Sequence, residues 1–129
     1  MILPPFGICS LCVVRRVIDG DTVVVSRKDS KSGKVSSYQW RIRLIDCWAN
    51  EKNTTEGMKA TIYLKSILIE KENVAVFVPT TEGQDLFDLF SYSSLSRVVG
   101  RVFLDGMDIS EHMVAAGFAT KKKPRKEKR

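Results

Sequence analysis

The sequence has few of the residues that build metal clusters or disulfide frameworks. Its 129 residues include three cysteines and one histidine. Three cysteines cannot all pair within one chain, which argues against a disulfide framework and favours a reducing compartment. Cys9 and Cys12 have the spacing of a zinc or redox pair, but a structural zinc site needs four ligands, and only Cys47 and His112 remain to complete one. We therefore expect buried strand cysteines, and a surface position on a helix for His112.

Long hydrophobic runs are also missing. No segment reaches the ~18 consecutive apolar residues that a transmembrane helix requires, so we expect no membrane partner. The apolar stretch 1–14 lacks a basic leading segment and contains Pro4 and Pro5, which predicts a lead into the first strand, not a signal peptide. With the unpaired cysteines, this favours an intracellular protein, cytoplasmic or phage-encoded.

Positive charge is scarce outside one end of the chain. The formal net charge is +6, but residues 121–129 hold seven basic residues and one glutamate, and the rest contains 14 basic and 14 acidic residues. The length suits one hydrophobic core. We expect a single domain over residues 1–120 and a basic, disordered tail over 121–129. Such a tail can attract a polyanion through phosphate contacts, or can simply be a solvated segment.

The first half of the chain has the pattern of a three-stranded meander. Residues 12–18 and 22–26 are β-branched runs on either side of Asp19-Gly20-Asp21, which is typical of a hairpin. The polar stretch 28–37 predicts a second turn. Residues 38–46 then alternate between the two faces of a third strand. One face carries Trp40, Ile42 and Leu44, and the other carries Arg41, Arg43 and Ile45.

The second half of the chain adds two helices and two strands. Thr54 or Thr55 caps a helix whose apolar stripe recurs at helical spacing (Ala60, Leu64, Ile67 and Leu68). Residues 73–78 predict a fourth strand, 80–96 a long loop and 97–104 a fifth strand. Asp108 opens a short helix over 109–116, which Gly117 ends. This order predicts an α+β fold, a five-stranded OB-type β-barrel with two helices and a basic C-terminal tail.

Charged residues at predicted strand ends suggest phosphodiester chemistry. Asp21 heads the second strand, where a carboxylate can ligate a hard cation, while Asp19 is best explained by the turn. Arg43 ends the third strand, Glu51 follows eight residues later, and Arg97 begins the fifth strand. Guanidinium groups bind phosphate oxygens in pairs, and a carboxylate can orient or deprotonate water.

Three motifs in order carry a family resemblance. They are V-I-D-G-D-T-V at 17–23, R-L-I-D-C-W-A-N-E at 43–51 and R-V-V-G-R-V-F-L-D-G at 97–106. They resemble the successive motifs of the staphylococcal-nuclease-like (thermonuclease) family, and residues 109–119 are similar to the helix that follows them. The resemblance covers roughly residues 12–120 and implies an OB-barrel that cleaves DNA and RNA with calcium. By motif position, Asp21 matches a metal ligand, Arg43 and Arg97 the two catalytic arginines, and Glu51 the glutamate acting on the attacking water.

The sequence departs from the family pattern at the metal. Trp48-Ala49-Asn50 stands where the family has a second metal-ligand aspartate, a small residue and proline. The backbone carbonyl of Ala49 can still ligate, and Asp46 is a partial substitute for the lost carboxylate. Trp48 itself is either a packed residue or a platform on which a base stacks.

Two functions follow from this reading. The first is an active or weakly active calcium-dependent nuclease (a hydrolase) that hydrolyses phosphodiester bonds in DNA and/or RNA. The alternative is a non-catalytic nucleic-acid-binding OB-type domain with a degenerate metal site. A protein-interaction module that kept the fold alone is a third. The sequence makes no prediction of oligomeric state.

Overall fold

The structure is a computed structural model, and it describes residues 7–51, 53–69, 71, 73–79 and 98–122. The predicted loop 80–96, Arg97 and tail residues 123–129 lie outside the described residues. In chain order the elements are β1 (Gly7–Asp19), β2 (Thr22–Arg27), β3 (Trp40–Leu44), α1 (Thr55–Leu68), β4 (Val74–Pro79), β5 (Val98–Leu104), β6 (Met107–Asp108) and α2 (Ile109–Ala115). Among these residues no helix is long and apolar enough to cross a membrane.

The five longer strands close into a barrel in which β1 pairs with two neighbours. This long strand pairs antiparallel with β4 through its first half and with β2 through its second half. β2 pairs with β3 and β4 with β5, both antiparallel, and a parallel pairing of β3 with β5 closes the barrel. The prediction of an α+β, OB-type barrel of five strands is confirmed. The short β6, which pairs with the end of β5, is an additional strand that the sequence pattern did not reveal.

The β1–β2 hairpin forms at the predicted Asp-Gly step. Asp19 pairs with Thr22 across the turn, and the Asp21 N–H donates to Asp19 Oδ1 at 3.1 Å, a side-chain contact typical of tight turns. β3 is shorter than the predicted 38–46. It ends at Leu44 because the chain turns at Asp46, whose φ of 54° lies in the left-handed region.

Both helices begin at the predicted capping residues. The Thr54 side chain accepts a hydrogen bond from the Gly57 N–H at 3.0 Å and caps α1. Asp108 caps α2, with its Oδ1 accepting from the Ser110 N–H at 2.9 Å. Gly117, with a φ of 86°, follows α2 in the conformation that ends many helices. Local capping chemistry therefore fixes where each helix starts.

One core joins the inner face of the barrel to the two helices. Its fully buried members include Val23, Ile42, Leu44, Leu64, Leu68, Val74, Val102, Ile109 and Met113. Ile42 and Leu44 point inward as the alternation predicted, which leaves Arg41 and Arg43 on the outer face of β3. That outer face leads to the candidate site.

The cysteines and the histidine partly depart from expectation. Cys12 and Cys47 are buried as predicted, and burial raises the pKa of each thiol to about 12. Neither is therefore a thiolate at neutral pH. Cys9 is exposed, contrary to prediction. His112 is half-buried, not a free surface residue, because its ring stacks on Tyr63 and its Nε2 lies 2.7 Å from the Tyr63 hydroxyl.

Candidate active site

The turn that carries Asp21 is pressed against two other segments. A Cβ built on Gly20 would lie 2.7 Å from the Cβ of Ala49 and 2.7 Å from the Cβ of Ala60. Real side chains do not approach that closely, so only glycine fits at this position. The β1–β2 turn, the segment after β3 and helix α1 therefore meet at one point, and Asp21 is the next residue.

Asp21 is a buried residue, 8% exposed, whose carboxylate has several neighbours. Its Oδ1 accepts a hydrogen bond from the Thr22 hydroxyl at 3.0 Å, and its Oδ2 accepts one from the Ala49 N–H at 3.1 Å. The structure thus brings together Asp21 and Ala49, two residues that the sequence predicted as metal ligands.

The charged form of Asp21 is disfavoured where it lies. Burial, and then the hydrogen bond and negative charge of the neighbouring Asp19 carboxyl, raise the pKa of Asp21 to about 6. The Ala49 N–H and the Arg43 charge oppose that rise without cancelling it. Asp19, which the sequence explained by the turn alone, is therefore part of the electrostatics of the site. Its spacing of two residues from Asp21 was the available signal.

Arg43 lies beside Asp21 because β3 pairs with β2 in a register that sets Arg43 opposite Thr22. The Arg43 residue is 8% exposed, and its Nη2 lies 3.7 Å from Asp21 Oδ2. Its Nη1 donates to the Leu44 carbonyl. Among the described residues, Nη2 has no hydrogen-bond partner. A buried guanidinium with an unused donor is costly, and it is an available site for an anion.

Trp48 covers one face of that guanidinium. The Arg43 Cζ lies 4.0 Å from the centroid of the Trp48 ring, a cation–π contact. The Trp48 backbone is fixed in turn, since its N–H and C=O exchange hydrogen bonds of 2.8 and 3.0 Å with Thr120. The half-buried indole thus packs on Arg43 itself. Of the two interpretations left open by the sequence, packing is the one with a described contact.

Glu51 has a fixed backbone and an exposed side chain. Its carbonyl accepts hydrogen bonds from the Thr54 N–H at 3.0 Å and the Thr54 hydroxyl at 2.7 Å. A Cβ on Gly57 would lie 1.7 Å from that same carbonyl oxygen, so α1 packs against the Glu51 backbone. The Glu51 residue is exposed to solvent. It follows Ala49, which binds Asp21, by two residues along the chain.

Asp46 is engaged elsewhere. Its Oδ2 lies 2.5 Å from Arg101 Nη2, and Arg101 Nη1 lies 2.8 Å from Asp108 Oδ2. Since Asp108 also caps α2, this network ties β5 to the turn after β3 and to the helix. Arg101 was not singled out from the sequence, where nothing distinguishes it from a surface arginine.

The described residues supply an incomplete set of metal ligands. No group of three or more His, Cys, Asp or Glu side chains among residues 7–51, 53–69, 71, 73–79 and 98–122 is arranged to hold a metal ion. Asp19 and Asp21 provide two adjacent carboxyl groups, and hard cations prefer such oxygen donors. A divalent cation bound there would need further oxygen ligands from the backbone or from water. Arg97, the second predicted catalytic arginine, lies outside the described residues.

Comparison with known proteins adds no further assignment. The sequence matches no protein-family model, and the search of curated proteins finds no match.

Proposed function

We propose that this protein is a calcium-dependent nuclease that hydrolyses phosphodiester bonds in DNA and/or RNA. The observation that carries the proposal is the buried guanidinium of Arg43, whose Nη2 has no hydrogen-bond partner among the described residues and lies 3.7 Å from Asp21. A purely structural arginine would be expected to pair both terminal nitrogens, as Arg101 does with two carboxylates. The free donor of Arg43 suits a phosphate oxygen.

The contact with Trp48 is compatible with phosphate binding. A guanidinium binds phosphate through N–H groups in its own plane, while an aromatic ring stacks on its face. The indole therefore occupies a surface of Arg43 that a phosphate does not use. Stacking also restricts the rotamers of Arg43, so less conformational entropy is lost when the anion binds.

The carboxyl groups of Asp19 and Asp21 are the proposed calcium ligands. Asp21, Asp19 and the backbone carbonyl of Ala49 would hold the ion, and Asp46 is left out because its Oδ2 is bound to Arg101. Bound calcium would supply Lewis-acid polarisation of the phosphate.

The indole of Trp48 offers no ligand oxygen, so weak calcium binding is expected. Trp48→Asp should then raise calcium affinity, measured by calorimetry, and unchanged affinity would mean that position 48 does not face the ion.

The remaining roles follow from charge and exposure. The exposed carboxylate of Glu51 would orient a water molecule or accept its proton as the water attacks phosphorus. Arg43 would stabilise the negative charge that builds on the equatorial oxygens during attack. Arg97 is proposed for the same role from its place in the sequence alone.

The test is a cleavage assay with a matched control. Single-stranded DNA and RNA are incubated with the wild type, Glu51→Gln and Glu56→Gln, first in calcium and then in chelator. Glu56 is an exposed glutamate in the first turn of α1, so its variant loses the same charge. We expect calcium-dependent cleavage that falls by at least about a hundredfold only in Glu51→Gln. Cleavage that persists in Glu51→Gln would remove that residue from the mechanism.

A second candidate function is nucleic-acid binding without catalysis. The observation that favours it is Trp48, a residue that cannot ligate calcium and that holds Arg43 in place through a 4.0 Å stacking contact. Salt-sensitive binding of the same oligonucleotides, with no cleavage in calcium by the wild type, would support this function and reject the nuclease.

A further inference from the structure

The three strands that carry the candidate site concentrate arginine. β1, β2 and β3 contain five of the chain's nine arginines, no lysine, and one acidic residue, Asp19, at the turn. Residues 1–120 together have no net charge, so the excess of positive charge on these three strands is local to them. Arginine also differs from lysine in presenting a planar fork of donors that matches phosphate.

Strand register places two of these arginines in one row. Arg16 on β1 and Arg41 on β3 are both cross-strand partners of Val24 on β2. Val24 is 3% exposed yet does not belong to the hydrophobic core cluster, whereas Val23 and Val25 do. Val24 therefore lies on the outer face of the barrel, where the alkyl stems of its two arginine neighbours can cover it.

A β-bulge adds a third arginine to the same face. The pairing of β1 with β2 shifts between Val14 and Arg16, so Arg15 is an extra residue in β1. Val14 and Val17 remain in the core while the consecutive Arg15 and Arg16 are both exposed. Without the bulge, strict alternation would turn one of these two side chains inward.

The arginines of this face differ in their side-chain hydrogen bonds. Arg15 Nε donates to the Ser26 hydroxyl at 3.1 Å, and Ser26 in turn donates to the Tyr38 carbonyl at 2.7 Å. The side chains of Arg16 and Arg41 are exposed and make no hydrogen bond or ion pair with any part of the chain that the structure describes, so their donors are available. Tyr38, tied to this face through Ser26, is 75% exposed.

The rows on this face lead to the candidate active site. Along β2, the outward residues are Ser26 near Arg15, Val24 between Arg16 and Arg41, and Thr22 opposite Arg43. Side chains on one face repeat every ~7 Å along a strand, so the three rows span about 14 Å. That length corresponds to a few nucleotides of an extended strand.

We propose that the outer face of β1, β2 and β3, defined by Arg15, Arg16, Arg41 and Tyr38, binds a single-stranded nucleic acid and leads it to Arg43. The arginines contact successive phosphates, and the exposed Tyr38 ring stacks on an unpaired base. A duplex has no free base face along its length, which is why the single strand is assigned. The inference rests on the proposed function for the class of ligand, but it concerns binding and does not require cleavage.

The test is binding in chelator, where cleavage does not occur. Fluorescence anisotropy of a labelled single-stranded DNA of about 16 nucleotides is followed over a range of salt concentrations. The double variant Arg16→Gln/Arg41→Gln should raise Kd by about tenfold or more at low salt and reduce the slope of log K against log salt by about 1.4. The control, Lys59→Gln/Lys65→Gln on exposed positions of α1, loses the same charge and should change neither quantity.

Three further variants test what the charges and the aromatic ring of this face contribute to binding. Arg16→Lys/Arg41→Lys keeps both charges and should retain the salt slope of the wild type. Tyr38→Ala should weaken binding by roughly fivefold or more, and Tyr38→Phe should not. If the glutamine double variant matches the α1 control, binding comes from the tail or another surface and the proposal is overturned. A duplex bound equally well, with the same dependence on Arg16 and Arg41, would overturn the single-strand assignment.

These results are independent of the nuclease assay. Intact binding with no cleavage in calcium would reject the proposed activity but would still support binding at the outer face of β1, β2 and β3. Cleavage by the wild type, together with normal binding by the glutamine double variant, would support the proposed activity and reject binding at this face.

Discussion

Replacing Asp21 by asparagine should stabilise the folded protein at neutral pH, although Asp21 is central to the candidate site. The pKa of Asp21 rises from 3.8 to about 6 on folding, mainly because its carboxylate is buried and lies next to Asp19. One pKa unit corresponds to about 1.4 kcal/mol, so ionisation of Asp21 costs the folded state at most roughly 3 kcal/mol. Asparagine has a similar shape and avoids that cost.

The pH dependence gives the sign of the effect. Folded Asp21 holds its proton more tightly than the unfolded chain does, so this group favours folding below about pH 4. That contribution is lost as pH rises through about 6. The advantage of Asp21→Asn should therefore be small near pH 4 and complete near pH 7.

Urea unfolding of both proteins from about pH 4 to pH 7.5 measures this difference. A useful control is Asp29→Asn, because backbone and side-chain hydrogen bonds from Lys31 and Ser32 lower the pKa of the exposed Asp29. Its substitution should act in the opposite direction, with a loss of stability that appears as pH rises. Added calcium should raise the Tm of the wild type but not that of Asp21→Asn.

One result would refute this reasoning. If Asp21→Asn were less stable than the wild type by a constant amount at every pH, the hydrogen bonds from Thr22 and Ala49 would outweigh the cost of burial. The carboxylate would then be explained by folding, and its presence would no longer point to a ligand.

Two further predictions concern the supports of the site. Gly57→Ala should destabilise the protein by about 2 kcal/mol and reduce any cleavage, since its Cβ would lie 1.7 Å from the Glu51 carbonyl oxygen. Helix propensity alone predicts a gain of up to about 1 kcal/mol, so a higher Tm would contradict the packing argument. Asp108→Ala should cost about 3 kcal/mol in urea unfolding, because it removes a helix cap and a buried partner of Arg101. Asp46→Ala, at the more exposed end of the same network, should cost less than about 1 kcal/mol, and equal costs would mean the cap contributes nothing.

Features with a local cause could be predicted from the sequence. The Asp-Gly turn, the caps at Thr54 and Asp108 and the alternation of β3 depend on residues within a few positions of one another, and the structure has all of them. From five such strands and two helices the barrel could be inferred. The end of β3 could not be predicted because it depends on the left-handed conformation of Asp46. Aspartate can adopt this conformation, but its presence in a sequence does not predict it.

Features that depend on strand register could not be predicted. Arg16 and Arg41 are 25 positions apart and come into one row, on either side of Val24, only because both pair with that residue. The contact of Trp48 with Arg43 likewise needs the turn after β3 and the bridge to Thr120. No sequence periodicity encodes such pairs, since they arise from how distant strands align.

Arg43, which is buried, and Arg101, which is partly buried, differ in how their guanidinium groups are paired. Arg101 meets two carboxylates at 2.5 and 2.8 Å, and one of these also caps a helix, so both terminal nitrogens of that guanidinium have a carboxylate partner. Arg43 and Asp21 lie 3.7 Å apart, with an unused donor on one and a raised pKa on the other. Stability alone would favour the first arrangement in both places. A costly, incompletely paired site beside Gly20, where three segments meet, supports the two ligands proposed above, a phosphate for Arg43 and a cation for Asp21.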